Sequence, residues 1–301
     1  MFRTLQNLAN IQITLRPDGP LLVRAQSVGI DPGPADMEFQ RTHRDGKPTV
    51  FLAGSGLKGV LRSHCERLLR SANRFACDPT QIRDSQTCGA TRKKTDPPRD
   101  PARYPHAENC AACFTFGSLK MAGRFHIADA YPAKGEEDAT NRTEVRTGVG
   151  IDRKSQAASG SVLYDAEVVV GGAFDLRIAG ENYSLWQLGL ILAALQDLDT
   201  GLLRIGGAKA RGMGAVHLDS WSVELSFLNA ESGKLTGIQA LDQGDRKYRL
   251  PCNDLLAAPS GHHETSRGLF RLIQCQGDSV QALATSLTEG PLKTYLRSGS
   301  R

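Results

Sequence analysis

The 301-residue chain contains no apolar run long enough to cross a membrane. Its longest, residues 188–195 (LGLILAAL), is far short of the roughly 20 residues a helical span needs. The first 17 residues lack the basic start, apolar core and small-residue cleavage site of a secretory signal, which points to a cytoplasmic protein. Large net charge is missing too: 37 Lys+Arg against 32 Asp+Glu leaves +5, far from a polybasic tail. There is no G-x4-G-K-[ST] phosphate loop, no G-x-S-x-G elbow, no paired catalytic carboxylates and no repeat of solenoid period. These absences argue against a helical membrane protein, a P-loop NTPase and a hydrolase built on a G-x-S-x-G elbow.

What is present is unevenly distributed. Residues 11–16 (IQITLR) alternate as a half-buried strand, and 21–25 read as a second. The best helix covers about residues 56–72, where Leu57, Val60, Leu61, His64, Cys65, Leu68 and Leu69 form one apolar stripe and Ser55 occupies the N-cap position. A second helix, about 185–198, opens on a Ser184/Gln187 capping box and is apolar on nearly every face, so it belongs deep in the core. Residues 124–131 read as a strand and 135–160 as a long hairpin or loop. Residues 166–178 read as strand, bulge at Gly171 and Gly172, strand, and 215–218 and 222–227 as further strand. The order strand, helix, strand, strand, helix, strand predicts an α+β, ferredoxin-like (RRM-like) core. We place it at residues 1–225, with polar insertions at 74–116 and 135–165 and a weakly patterned extension over 226–301.

Seven cysteines in a chain without a signal point to metal or buried thiols rather than disulfides. Cys77, Cys88, Cys110 and Cys113 bracket residues 78–109, a stretch with five prolines and only six apolar residues. Such a stretch cannot offset its ordering entropy by burial, so it is disordered or stapled. C-x2-C is the spacing of one half of a zinc site, and four thiolates would make that zinc structural. His106 is an alternative ligand; the plainer alternative is four unligated thiols in a loop. Cys65, Cys252 and Cys275 read as core thiols.

Two basic, glycine-rich turns suit phosphate. Gly54-Ser55-Gly56-Leu57-Lys58-Gly59 opens the first helix, and residues 206–214 (GGAKARGMG) carry Lys209 and Arg211 with no acid. Residues 41–74 hold eight Lys/Arg against Asp45 and Glu66, a local excess larger than that of the whole chain. One such loop would be an ordinary solvated turn; two beside neighbouring elements of one sheet favour a phosphate polymer such as RNA. Asp31, Asp36 and Glu38 precede Arg41, where a carboxylate could take a 2′-hydroxyl proton or hold Mg²⁺, or simply cap a loop. His64, on the apolar stripe, reads as a satisfied core histidine, and His43 is the only loop histidine near basic residues.

The segment FLAGSGLKGVLRS (51–63) resembles the signature of the RAMP superfamily of CRISPR-associated proteins. The likeness continues in order through ADMEF (35–39), Phe116-Gly117, GRF (123–125), DAY (129–131), RTGVGIDR (146–153), IGG (205–207) and RGMG (211–214). It is nearest to the backbone subunit of type III, III-D-like effector complexes. Ala53 and Gly56 depart from the family's common proline and second serine, and neither change removes a charge. The resemblance implies a ferredoxin-like palm, a thumb β-hairpin and a zinc-bearing insertion. It further implies copies stacked along a crRNA with other CRISPR effector subunits, and an endoribonuclease (hydrolase) activity on paired target RNA at regular intervals, as in antiviral defence. Asp36 falls at the cutting position, where Mg²⁺ is the expected cofactor. Ser55, Lys58 and Arg62 fall at the guide-binding helix start, Arg146 to Arg153 at the thumb base, and Gly206, Gly207, Lys209 and Arg211 in the glycine-rich loop; Arg41 is a further expected RNA-binding residue. The competing expectations are a non-cutting crRNA scaffold, a guide-processing endonuclease using His43, and a zinc-stabilised nucleotide-binding protein.

Overall fold

The computed structural model describes residues 5–25, 35–81, 84–90, 96, 103–104, 109–228, 231–241 and 254–298. Asp31, His106 and Cys252 lie outside the described residues. The alternation of residues 11–16 extends over strand β1 (Asn7–Pro17), whose odd-numbered side chains are buried. Between the next short strands, β2 (Arg41–Arg44) and β3 (Lys47–Val50), a two-residue turn at Asp45 and Gly46 closes a hairpin. Helix α1 (Gly54–Ser71) follows, burying Leu57, Leu61, His64, Cys65 and Leu69. It begins two residues earlier than the apolar stripe predicts. Ala53, not Ser55, is the N-cap, and the Asp129 carboxylate accepts the Gly54 N–H at 2.7 Å in place of a local cap.

Next come α2 (Ala111–Phe116), the strand pairs β4 (Gly117–Ser118) and β5 (Met121–Ala122), β6 (Phe125–Ile127) and β7 (Tyr131–Pro132), and the short α3 (Glu137–Asn141). A hairpin of β8 (Thr143–Ile151) and β9 (Ala158–Val169) then leaves the body before β10 (Phe174–Glu181) returns to it. Gly171 and Gly172 are therefore a connection between strands of two different sheets, not a bulge within one strand. Residues 21–25 form no strand; Leu21 and Arg24 make single bridges to Val169 and Phe39. The predicted second helix is α4 (Leu185–Asp199), with the Gln187 side-chain oxygen accepting the Ser184 N–H at 3.0 Å. Residues 215–218 and 222–227 are one strand, β11 (Val216–Leu228).

The main sheet is antiparallel throughout. Its central order β11-β1-β10-β6 is the fourth-first-third-second arrangement of a βαββαβ unit. The C-terminal residues enlarge that unit. β12 (Lys234–Thr236), the single-turn α5 (Ile238–Leu241) and β13 (Leu255–Ala257) lead into β14 (His263–Arg267) and β15 (Phe270–Gln276), and β15 pairs with β11. Helices α6 (Asp278–Leu287) and α7 (Lys293–Arg297) then cover α4 from its outer side. Enclosed by the sheet, α1 and this second helical layer, α4 is buried on every face over its first turns, which accounts for its nearly all-round apolar sequence; only its last turns, with Gln196, Asp197 and Asp199, reach solvent. Tyr295 stacks on Trp186 with centroids 3.9 Å apart, and Arg74 covers its other face at 4.3 Å.

Asp254 ties this layer down. Its buried carboxylate accepts Leu185 N–H at 2.7 Å and Gln239 N–H at 3.0 Å, and burial pushes it up to about 6. Losing two buried acceptors at a helix start leaves orphaned donors, so Asp254→Ala is expected to lower stability by about 2 kcal/mol in chemical unfolding. An unchanged midpoint would show that these bonds do not hold the layer.

Candidate nucleic-acid interface and metal centre

The four cysteines predicted as ligands converge. All are buried, and their Sγ atoms lie within 4.8 Å of one another. Cys77 and Cys113 are 3.4 Å apart, and Cys77 and Cys110 are 3.8 Å apart. Tetrahedral zinc with sulfur at about 2.3 Å requires sulfurs about 3.8 Å from each other, so the donor set fits that ion. Each thiol is free of disulfide, and the Cys110 N–H donates to the Cys88 sulfur at 3.1 Å. The crowded thiols share their protons unevenly: hydrogen bonds from Cys113, Cys77 and Cys88 hold Cys110 below its ordinary pKa, while the bond to Cys110 pushes Cys88 and Cys113 up. Around the cluster, the polar segment is stapled locally: Tyr104 donates to the Gln86 carbonyl at 2.6 Å and packs edge-on against Phe75. As the sequence suggested, Cys65 and Cys275 are buried core thiols.

Seven of the ten predicted RNA-binding residues divide between two grooves. Arg146, Gly206, Gly207 and Arg211 line a cleft of about 600 Å³ between the hairpin and the glycine-rich loop. Arg24, Met37 and Tyr164 complete it, none of which was singled out from the sequence. Tyr164 faces the cleft because β9 pairs it with Gly148, and its ring lies so close that a Cβ at 148 would be 2.2 Å from the ring carbon Cζ. Arg211 donates to the Tyr164 hydroxyl and sits 5.4 Å from its ring centre. Gly206 is needed for a reason internal to the chain: at φ +75° its Cβ would be 2.2 Å from the Leu22 carbonyl, which also accepts Gly207 N–H at 2.8 Å. That close approach, expected for a phosphate, is made here by the protein's own backbone.

Ser55, Lys58 and Arg62 line the second groove, of about 580 Å³, whose opposite wall contains Cys77, Cys113 and residues 116–119. Gly56 and Gly59 leave open space beside it. Burial, and then the nearby Arg62, pull the Lys58 ammonium below its ordinary pKa, and no carboxylate pairs with it among the described residues. Lys209 is depressed in the same way by burial and then Arg67. Cations held so would gain from an arriving anion.

Arg41, Arg153 and Lys209 line neither groove. Arg41 is spent on Glu167, its Nη1 donating to Oε2 at 2.6 Å. Arg153 occupies the turn at the hairpin tip, not its base, because β8 and β9 run on past Arg146 before reversing. Nor is the basic surplus of residues 41–74 all available: Arg62, Arg67, Arg70 and Arg74 are also held internally. Asp36 is exposed beside the cleft residue Met37, and its Oδ2 accepts the Asp165 N–H at 3.0 Å. His64 is buried between Asp197 at 2.6 Å and Arg67 at 2.8 Å. A larger concavity, about 1300 Å³ on the outer sheet face, mixes Arg44, Lys47, Lys134 and Arg177 with Asp45, Asp129, Glu137, Asp138 and Asp175, a balance unsuited to a phosphate track.

The family model of the RAMP superfamily matches residues 14–217, about two thirds of the sequence, from the end of β1 to the start of β11 and with β6 and β10 whole. The chain belongs to the RAMP superfamily. As a RAMP protein it is a CRISPR-associated, RNA-binding subunit, and both grooves are lined by residues within the matched span. No match was found among curated proteins. No described helix is long and apolar enough to cross a membrane.

In this RAMP chain the hairpin stem is fixed by Glu167, which accepts from Arg41, from Thr143 Oγ1 at 2.6 Å and from Phe39 N–H at 2.8 Å. Arg41 above all holds the Glu167 carboxyl down to about 2, below its usual 4.5. The stabilisation is therefore complete above pH 4.5 and lost as pH falls through about 2. NMR titration of Glu167 is expected to show its midpoint rising toward 4.5 in Arg41→Ala; a midpoint unmoved by that change would remove Arg41 as its cause.

Proposed function

We propose that this chain is a guide-RNA-binding backbone subunit of a type III-like CRISPR effector complex, stacking along a crRNA and cutting the paired target RNA. The observation that carries the reading is the cleft where the hairpin and the glycine-rich loop meet, with Arg24, Arg146 and Arg211 around a Tyr164 ring. Three guanidiniums can take successive phosphates while the aromatic and apolar walls take a base, a pairing suited to single-stranded RNA. Lys58, Ser55 and the open Gly56 and Gly59 supply a further phosphate contact at the start of α1. The hairpin exposes Val145, Val149, Ile151 and Leu163 on one face, which supports contact with a neighbouring copy or a related RAMP subunit.

Cutting would be in-line attack of a 2′-oxygen on the adjacent phosphorus, breaking the bond to the 5′-oxygen of the next nucleotide. Asp36 stands at the cleft's rim with Oδ1 free of the Asp165 contact, and takes the 2′-hydroxyl proton or holds Mg²⁺ there. Bound Mg²⁺ would neutralise charge on the phosphate. Cys77, Cys88, Cys110 and Cys113 would hold one structural zinc, with no ligand position open for water. The Asp36–Asp165 bond also supports a second reading, in which Asp36 is a loop-capping residue of a crRNA scaffold and a partner cuts.

Two tests separate these. In the assembled complex with matched target RNA and Mg²⁺, Asp36→Ala is expected to slow cutting at least about 100-fold while leaving RNA binding intact; undiminished cutting leaves only the scaffold. Lys58→Gln and Arg211→Gln are each expected to lower the salt slope of RNA binding by about one. Slopes equal to wild type would remove these residues from the interface, and binding of ATP in place of RNA would favour a nucleotide-binding protein.

A further inference from the structure

Arg62 sits in the predicted guide-binding set and lines the groove, yet its donors are taken up by the groove's own wall and by its own helix. Nη2 donates to Cys113 Sγ at 3.1 Å, Nη1 to the Gly117 carbonyl at 2.9 Å, and Nε to Glu66 Oε1 at 2.8 Å. One turn along α1, Glu66 is 93% buried and also faces Arg70 at 3.5 Å. Arg70 in turn donates to the Ala76 carbonyl at 3.1 Å and to the Cys77 carbonyl at 3.2 Å. Arg62, Glu66 and Arg70 thus form an i, i+4, i+8 ladder on the polar side of α1, and both ends grip metal-ligand residues. One end holds Cys113 by its sulfur and the other holds Cys77 by its backbone.

Four thiolates around a divalent zinc carry a net charge of −2 in a buried site. An outer N–H donor and a fixed cation offset that charge and orient the sulfur that accepts the bond. A guanidinium has the forked geometry to reach a sulfur, a carbonyl and a carboxylate together; an ammonium does not. Lys58, in the same groove, has no such commitments among the described residues.

We propose that Arg62 is a positioning residue of the metal centre, an outer-sphere clamp on the Cys113 thiolate, and not a phosphate contact. This rests on the reading of the four cysteines as a metal site. α1 then divides its polar side by function: Ser55 and Lys58 serve RNA, and Arg62, Glu66 and Arg70 serve the cysteine cluster.

The test uses the full-length protein loaded with zinc and, in parallel, with cobalt(II). Zinc retention is measured against a chromogenic chelator, the thiolate-to-cobalt charge-transfer band reports the sulfur ligands, and RNA binding is titrated with salt. Arg62→Ala and Arg62→Lys are both expected to weaken metal binding by about 10- to 100-fold and to shift the cobalt band, with the salt slope of the loaded protein unchanged. The lysine variant keeps charge and stem, so it controls for misfolding. Metal retention equal to wild type, with a slope reduced by about one in Arg62→Ala and restored in Arg62→Lys, would make Arg62 a phosphate contact and overturn the clamp. Wild-type protein that takes up neither metal would overturn the centre itself, and the clamp with it.

Discussion

The convergence of four thiols sets the conditions for everything on that side of the molecule. Residues 78–109 have too little apolar surface to hold a shape, yet Pro79, Thr87 and Gly89 among them border the groove at the start of α1. Bringing Cys77, Cys88, Cys110 and Cys113 to one point ties both ends of the polar excursion, and Cys88 within it, together. The wall of that groove, from Cys113 through residues 116–119, is a direct continuation of the cluster. α1 meets it with side chains, while its other side sends Leu57, Leu61, Cys65 and Leu69 into the core. A single helix therefore joins the hydrophobic core, the cysteine cluster and a basic groove.

On the other side of the molecule a short extended segment plays the joining role. Leu21 bridges Val169 at the root of the hairpin, the Leu22 carbonyl receives Gly207 from the glycine-rich loop, and Arg24 bridges Phe39 just past Asp36. Three segments far apart in sequence are thereby docked around one cleft. In the proposed role their fixed spacing would matter physically, because stacking and phosphate contacts both need walls that do not reorganise when RNA arrives. The hairpin itself is a two-stranded ribbon, marginal alone, and it depends on Glu167 and Met37 to anchor its root.

The core was legible because its signals are local and periodic. The stripe of α1, the uniformly apolar α4 and the alternation of β1 each state their own burial. The cysteines were legible because few roles suit four such residues around a segment without a core. What the sequence could not show depends on register. Tyr164 enters the cleft only because β9 sets it opposite Gly148, and nothing in its neighbours announces that pairing. The cap of α1 was misread because Asp129 supplies it from 75 residues away. The basic surplus of residues 41–74 was overvalued for the same reason: a count of charges cannot see that Arg41 is spent on Glu167 or Arg62 on Cys113. In the C-terminal extension Val280, Leu283, Ala284 and Leu287 do recur at helical spacing along α6, so that helix was legible, whereas β14 is exposed along most of its length and carries no such pattern.

The central claim, that this RAMP protein tracks along a guide RNA, is tested most directly by recovering the protein from cells with its nucleic acid and sequencing what is bound. The account predicts RNA of discrete length, each molecule joining a shared repeat-derived sequence to a variable one. Protein free of nucleic acid, or carrying cellular RNA of no defined length or common sequence, would contradict it.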